Sequence, residues 1–226
     1  MAAAETLLGR RVDGLIVVGG SIPDQELEKL KGRVPTLLVG REISDWNEQC
    51  LYVDNEQAGY LATVHLIELG HRRIAHIAGL EDHQDAIRRK EGYLRALKEH
   101  GIERDDSLII AGNFDATSGV LAIENLVQSN AVFTAIFAAN DMTAMGARLA
   151  LYRRGIRVPE DVSIIGFDDQ DESAFSTPPL TTVKQPGREL GATAVESMIN
   201  LIAGKEYSVP QFSATITVRE STRMKG

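Results

Sequence analysis

Residues 134–167 read TAIFAANDMTAMGARLALYRRGIRVPEDVSIIGF and alternate between strand and helix patterns. The first six residues are almost all apolar, which is typical of a strand that is buried on both faces. A helical pattern follows from Asp141 to Arg154, with Asp141 as the expected N-cap and Gly155 as the stop. A second apolar run covers residues 162–167. This order predicts two parallel strands that are joined by a crossover helix.

The same alternation extends through the rest of the chain. Strand-like runs cover residues 12–18, 35–40, 50–53, 73–78, 108–111, 180–184 and 215–218, and helical patterns cover 54–69, 87–99, 117–128 and 189–203. Thr117 is the expected cap of the third of these helices. We therefore predict an α/β protein with parallel sheets and helices on both faces. The chain has no linker rich in Pro, Gly or Ser, so two lobes would be joined by short crossings.

Composition narrows the class of protein. The chain has 226 residues, of which 43% are hydrophobic and 25% charged, as in an ordinary globular protein. Its formal net charge of -8 opposes direct binding to nucleic acid. The single cysteine, Cys50, fits a reducing compartment, and the N-terminal residues lack the pattern of a signal peptide. We therefore expect a cytoplasmic protein with no membrane segment.

Ligands of open parallel sheets bind beyond the carboxyl ends of the strands. In this sequence those positions are rich in Asn, Asp and Arg, with two aromatic residues nearby: Gly19, Ser21, Arg41, residues 54–57, the segment after Gly79, Asn113, Phe114, Asn140, Asp141, Phe167, Asp168 and Asp169. Planar polar groups beside an aromatic face suit a polyhydroxylated or heterocyclic ligand.

Several of these residues have a structural alternative. Asp141 is expected to cap its helix, which leaves Asn140 available for either a ligand or a turn. Asp168 and Asp169 are adjacent on a strand, so their side chains should point in opposite directions and not act as one acid–base pair. The arginine pair at 88–89 could be a solvated helix face.

Catalytic patterns are scarce. The five histidines (His65, His71, His76, His83 and His100) lack the spacing of a metal site, and His65 lies on an apolar helix stripe that suits a core histidine. Cys50 has no adjacent base, and there is no G-x-S-x-G elbow. Residues 19–21, Gly-Gly-Ser, are only a fragment of a phosphate-binding loop. We therefore predict a protein that is not an enzyme and needs no cofactor or metal.

Six segments, in order over nearly the whole chain, resemble transcription regulators of the LacI/GalR family. They are residues 12–17 (VDGLIV), 65–76 (HLIELGHRRIAH), 139–147 (ANDMTAMGA), 158–169 (VPEDVSIIGFDD), 178–185 (PPLTTVKQ) and 218–223 (VRESTR). The resemblance implies two Rossmann-like lobes with parallel sheets, of the periplasmic-binding-protein-like type I. It places residues 1–70 and 184–212 in the N-terminal lobe, and residues 71–183 and 213–226 in the C-terminal lobe.

The resemblance also implies a small effector held between the lobes and a homodimer. Its pocket positions correspond here to Arg89, Phe114, Asn140, Asp168, Gln57 and Gln185. The helix at 144–154 and the loop at 171–179 resemble the dimer surface. The effector class stays open among sugars, sugar phosphates, and nucleosides or purines.

Family members begin with a DNA-binding headpiece and two strand–helix pairs that have no counterpart before residue 5. We therefore expect the N-terminal lobe to be incomplete and operator DNA to be bound only through the missing headpiece. A sugar-binding transport protein of periplasmic type is the main alternative, and it would require a signal peptide. An α/β enzyme is the second alternative, and a protein co-effector could replace the small molecule.

Overall fold

The structure is a computed structural model that describes residues 2–19, 22–43 and 45–226. The chain forms two compact units. The first comprises the residues up to Val53 together with Pro186–Ser213, and the second comprises Asp54–Gln185 together with Ala214–Gly226. Gly20 and Ser21, which belong to the Gly-Gly-Ser segment considered above, lie outside the described residues.

The first unit is built around a small parallel sheet. Its elements are α1 (Ala2–Gly9), β1 (Leu15–Val18), α2 (Asp24–Lys31), β2 (Thr36–Val39), β3 (Cys50–Leu51) and α8 (Gly187–Ile202), with the strands in the order β1-β2-β3. The buried side chains of Leu27, Leu30, Leu38 and Trp46 form much of its core. Within the described residues, β1 pairs only with β2 and so forms one edge of this sheet.

The second unit holds the larger sheet. Its elements are α3 (Asn55–Glu68), β4 (Ile74–Ile77), α4 (Gln84–Glu99), β5 (Ile109–Ile110), α5 (Ala116–Gln128), β6 (Ala135–Ala138), α6 (Asp141–Arg153), β7 (Ser163–Asp168), α7 (Asp171–Phe175), β8 (Thr181–Lys184) and β9 (Thr215–Thr217). The strand order is β5-β4-β6-β7-β8-β9, and only β9 is antiparallel to its neighbour. All residues of β4 and β6 are buried, because helices cover both faces.

The predicted α/β class with parallel sheets is confirmed. The predicted division of the chain differs at its first boundary, because the structure places residues 54–70 in the second unit instead of the first. The reason is the close packing of α3 on α4. A Cβ added to Gly92 would lie 2.0 Å from the carbonyl oxygen of Glu56, so only a glycine allows this approach. The other two boundaries lie within two residues of the predicted positions.

Three local predictions were wrong or incomplete. The helices α2 and α7 were not predicted, and the one-turn α7 was interpreted as a loop. The cap of α5 is Asp115, whose side chain accepts from Ser118 N, and not Thr117. Within the described residues, no helix is both long and apolar enough to cross a membrane.

Candidate functional site

Five parallel strands of the second unit end at one edge of its sheet. Phe114 follows β5, Asn140 follows β6, Asp168 ends β7 and Gln185 follows β8, while Arg89 lies on α4, the helix after β4. The chain leaves β4 toward β5 on one side and returns to β6 on the other, so this edge includes a topological switch point. Such a point is where ligands of open α/β sheets bind.

Arg89 lies at the centre of this edge and is only 3% exposed. Its Nε donates to Asn55 Oδ1 at 2.8 Å, and Nη1 donates to the carbonyl oxygen of Ala139 at 2.7 Å. The guanidinium stacks on the ring of Phe167 at 3.5 Å from the centroid. Burial lowers the pKa of Arg89, and the neighbouring carboxylates oppose that shift. The expectation of a solvated pair therefore applies to Arg88, which is exposed and bonds Glu91 at 3.0 Å, and not to Arg89.

The third guanidinium nitrogen of Arg89 has two carboxylates near it but no hydrogen bond to the described residues. Its Nη2 lies 3.9 Å from Asp85 Oδ2 and 4.0 Å from Asp168 Oδ1. Both separations are longer than a hydrogen bond. Burial raises the pKa of Asp85 and of Asp168, while the charge of Arg89 acts in the opposite direction. The arrangement places one donor nitrogen close to two carboxylates.

Asp168, which ends β7, and Asp169, which follows it, form hydrogen bonds with different partners. Asp168 accepts a hydrogen bond from Gln185 Nε2 at 2.8 Å, and Asp169 accepts one from Arg219 Nη2 at 2.6 Å. Asp168 has a φ of 112°, a strained value for a residue with a side chain. Strain of this kind costs on the order of 1–3 kcal/mol and concentrates at functional sites. Only Asp168 contributes to the candidate site.

Phe114 presents an aromatic ring at this edge from a second strained backbone position, with a φ of 59°. Its carbonyl oxygen accepts from Asn140 Nδ2 at 2.8 Å, and the guanidinium carbon of Arg89 lies 5.8 Å from its ring centroid. The ring covers Gly79, where an added Cβ would lie 2.2 Å from Phe114 Cζ. The rings of His83 and Phe114 form a T-shaped pair, with their centroids 5.3 Å apart.

The predicted N-cap of α6, Asp141, was wrong. Asn140 is the N-cap of α6, because its Oδ1 accepts from Thr143 N at 2.9 Å. Asp141 is 1% exposed and accepts from Thr182 Oγ1, Ser173 Oγ and Gln170 N at 2.5, 2.7 and 2.9 Å. It therefore ties α6 to β8 and α7. Burial raises the pKa of Asp141, and these hydrogen bonds oppose the shift.

Not every predicted site residue joins this group. Gln57 is exposed, and its Oε1 accepts from Arg95 Nη2 at 2.6 Å, so the contacts of the described residues link it to the side of α4 and not to Arg89. The six predicted pocket residues did not include Asp85 or Asn55, although Asn55 lies in the strand-end segment 54–57; these two residues are bonded to each other at 3.2 Å. The available signal for Asp85 was its position one helical turn before Arg89.

The site lacks the features of catalysis or metal binding in the part of the chain that the structure describes. No group of three or more His, Cys, Asp or Glu side chains there could hold a metal ion. Cys50 lies in the other unit, and burial raises the pKa of its thiol, which makes it a poor nucleophile. His65 bonds Thr222 at 3.0 Å, as expected for a core histidine.

The chain is similar to known regulators over nearly its whole length. Residues 63–222 match the family model of the periplasmic binding protein-like domain. The HTH-type transcriptional repressor PurR of Vibrio atlanticus is 35% identical over 97% of this chain and 66% of its own length. The ribose operon repressor of Haemophilus influenzae is 34% identical over 96% and 66%. The chain therefore spans about 61% to 66% of the length of curated relatives such as these.

A solved structure shows the same fold. The sugar-binding transcriptional regulator of the LacI family from Escherichia coli superposes with a TM-score of 0.92 at 31% identity, over 99% of this chain and 82% of that one. These relatives are regulators and not transport proteins, so the transport alternative is not favoured. The family of that structure and the matched domain are the ones that the six sequence segments resemble. The chain therefore belongs to the LacI family of transcriptional regulators and carries the periplasmic-binding-protein-like domain of that family.

Proposed function

We propose that this chain is the effector-sensing part of a transcription regulator, and that its second unit binds a small hydroxyl-rich effector, a sugar or sugar derivative, at the edge formed by β4 to β8. The observation that carries the proposal concerns Nη2 of the buried Arg89, which lies near Asp85 and Asp168 and has no hydrogen bond to any residue that the structure describes. A buried guanidinium edge costs desolvation unless it has an acceptor, so a ligand oxygen completes it. Of the similar proteins, one is named as the ribose operon repressor and another is described as a sugar-binding regulator.

Five residues would contact the effector. Arg89 would donate to an oxygen of the ligand, and Asp168 would accept from a hydroxyl. Asn140 and Gln185 would contact its polar rim. Phe114 would stack on an apolar face of a sugar ring or on a base. Gln57 stays a candidate only if the effector extends along α4 toward Arg95.

For the whole protein, we propose the mode of action expected of this family. The effector would shift the balance between two conformations of a cytoplasmic homodimer, and the shift would alter operator binding through a DNA-binding segment outside this chain. A second copy would cover the apolar side chains that α6 and α7 expose in the second unit. Tyr152 is 80% exposed and Phe175 is 86% exposed, unusual values for large aromatic side chains on a monomer. Sedimentation of wild type and Phe175→Ser tests this point, and an unchanged mass would contradict it.

The effector proposal is tested by ligand screening. A thermal-shift panel of monosaccharides, disaccharides, sugar phosphates, nucleosides and purines should give at least one clear hit, since a ligand at a hundred times its Kd stabilises the fold by about 2.7 kcal/mol. Calorimetry of the best ligand then compares two variants on one helix. Arg89→Ala should weaken binding about 100-fold, whereas Arg88→Ala, which truncates the exposed neighbour, should change it less than twofold. Equal affinity in the two variants would place the ligand elsewhere.

A further inference from the structure

The geometry around Arg89 points to Asp85 as a specificity-determining residue. We propose that Asp85, together with Asp168, selects an uncharged polyhydroxylated effector and excludes its phosphorylated form. This inference rests on the proposed function, because it concerns the ligand of the same site.

The position of Asp85 is fixed by its neighbours. Its Oδ1 accepts from Asn55 Nδ2 at 3.2 Å, and the same Asn55 accepts from Arg89 Nε at 2.8 Å. Asn55 is 7% exposed. One amide therefore orients both the guanidinium and the carboxylate, and it leaves Asp85 Oδ2 facing Arg89 Nη2 at 3.9 Å.

The second carboxylate lies at nearly the same distance from the same nitrogen. Asp168 Oδ1 is 4.0 Å from Arg89 Nη2, and Gln185 Nε2 bonds that oxygen at 2.8 Å. The side chain of Arg89 is only 4% exposed, while those of Asp85 and Asp168 are 21% and 26% exposed. The two carboxylates are therefore more exposed to solvent than the guanidinium is.

The separations of about 4 Å match one class of ligand group. Asp85 Oδ2 and Asp168 Oδ1 both lie about 4 Å from Nη2. We infer that an oxygen that accepts from Nη2 also approaches an aspartate, to which it has to donate. A hydroxyl does both, because it has one donor and two acceptor positions. A phosphate oxygen only accepts at neutral pH, so it would give neither carboxylate a donor beyond those that Asn55 and Gln185 already supply.

Charge leads to the same conclusion. Two carboxylates border the space in front of a single guanidinium, and a third, Asp141, is close enough to influence the pKa values of Arg89 and Asp168. The local charge is therefore negative before a ligand binds. Like charges within a few ångströms repel strongly where water is partly excluded. A neutral ligand with neighbouring hydroxyls avoids this repulsion and supplies donors to both aspartates.

The test compares neutral ligands with their phosphate esters on the full chain. Calorimetric titrations use ribose and ribose 5-phosphate, glucose and glucose 6-phosphate, and adenosine and adenosine monophosphate, and then the best neutral ligand with its own ester. We expect the neutral form to bind at least tenfold more tightly. Asp85→Asn should reduce this ratio at least fivefold, because the neutral ligand loses a charged acceptor and the ester loses a repulsive neighbour. Asp82→Asn, which removes the same charge from an exposed side chain three residues earlier, should leave the ratio unchanged.

The outcomes separate the two proposals. A phosphate ester that binds within threefold of its neutral form would overturn the selection by Asp85 and Asp168 while the effector-binding proposal stands. An unchanged ratio in Asp85→Asn would likewise overturn the role of Asp85 alone. If no compound of either kind binds, both proposals fail. If Asp85→Asn does not melt cooperatively, the wild-type ratio decides the class of ligand, and Asp168→Asn replaces it as the test of the carboxylates.

Discussion

Replacing Asn140 separates two roles that one side chain combines. Its Oδ1 caps α6 through Thr143 N, and its Nδ2 donates to the carbonyl oxygen of Phe114. Asn140→Ala removes both bonds, and loss of an N-cap costs about 1 kcal/mol. The buried bond to Phe114 contributes roughly another 1 kcal/mol. We therefore expect Asn140→Ala to lower the free energy of unfolding by about 2 kcal/mol.

Asn140→Asp tests how that free energy is divided. An aspartate still accepts from Thr143 N, and its charge interacts favourably with the helix N-terminus by about 0.3–1 kcal/mol. It has no donor for the carbonyl of Phe114, so the strained Phe114 backbone loses its tether. The lost bond and the favourable charge together give an expected net loss of about 0–0.7 kcal/mol, which is less than the loss in Asn140→Ala.

Urea unfolding followed by circular dichroism measures these differences through the midpoint at unchanged slope. Asn125→Ala, at an exposed position within α5, is the matched control and should shift the free energy of unfolding by less than about 0.5 kcal/mol. The reasoning is refuted if Asn140→Asp unfolds as easily as Asn140→Ala, because the cap would then contribute nothing. A wild-type midpoint in Asn140→Ala would refute both bonds.

Two further outcomes are expected. Gly79→Ala should displace the Phe114 ring, because the new Cβ would lie 2.2 Å from Phe114 Cζ. We expect the affinity for the effector, measured by calorimetry, to fall about 3–10-fold, which is the equivalent of one aromatic contact. An unchanged affinity would show that the ring does not touch the ligand. Burial lowers the pKa of His76 to about 4. In the unfolded chain the His76 imidazole takes up a proton near pH 6.5, whereas in the folded chain it stays neutral down to about pH 4. The free energy of unfolding is therefore undiminished above pH 6.5 and decreases by roughly 3 kcal/mol as the pH falls toward 4. In urea titrations over this range, the difference between wild type and His76→Phe should follow that loss, and a constant difference would contradict it.

The strand–helix alternation predicted most of the fold because its signals are local. The buried strands β4, β6 and β7 are nearly continuous apolar runs, and residues of this kind form buried parallel strands in many contexts. The helix α2 was missed for the opposite reason. Its sequence, DQELEKLK, is mostly charged, and only Leu27 and Leu30 are buried. Two apolar residues are too few to show a helical repeat, so this helix is recognised only in the folded structure.

The candidate site was predicted in part. Arg89, Phe114, Asn140, Asp168 and Gln185 follow from the strand ends and from the resemblance to the family, and the structure brings them to one edge. Asn55 lies in the strand-end segment 54–57, but its bond to Arg89 could not be predicted, because the two residues are 34 positions apart and only the packing of α3 on α4 joins them. The wrong prediction of the cap of α6 has a similar cause. Asn140 and Asp141 can both cap a helix, and which one does so depends on where the chain turns after β6.

The fixed guanidinium of Arg89 has a consequence for the thermodynamics of recognition. A free arginine side chain carries about 2 kcal/mol of rotamer entropy, which a binding site on a flexible surface loses when the ligand arrives. Here Asn55, the carbonyl of Ala139 and the ring of Phe167 hold the group in place, so that entropy is already lost when the chain folds. If the proposed effector binds at this edge, it meets a donor that is already in its final orientation, and the entropy cost of forming the contact falls on the ligand and its water.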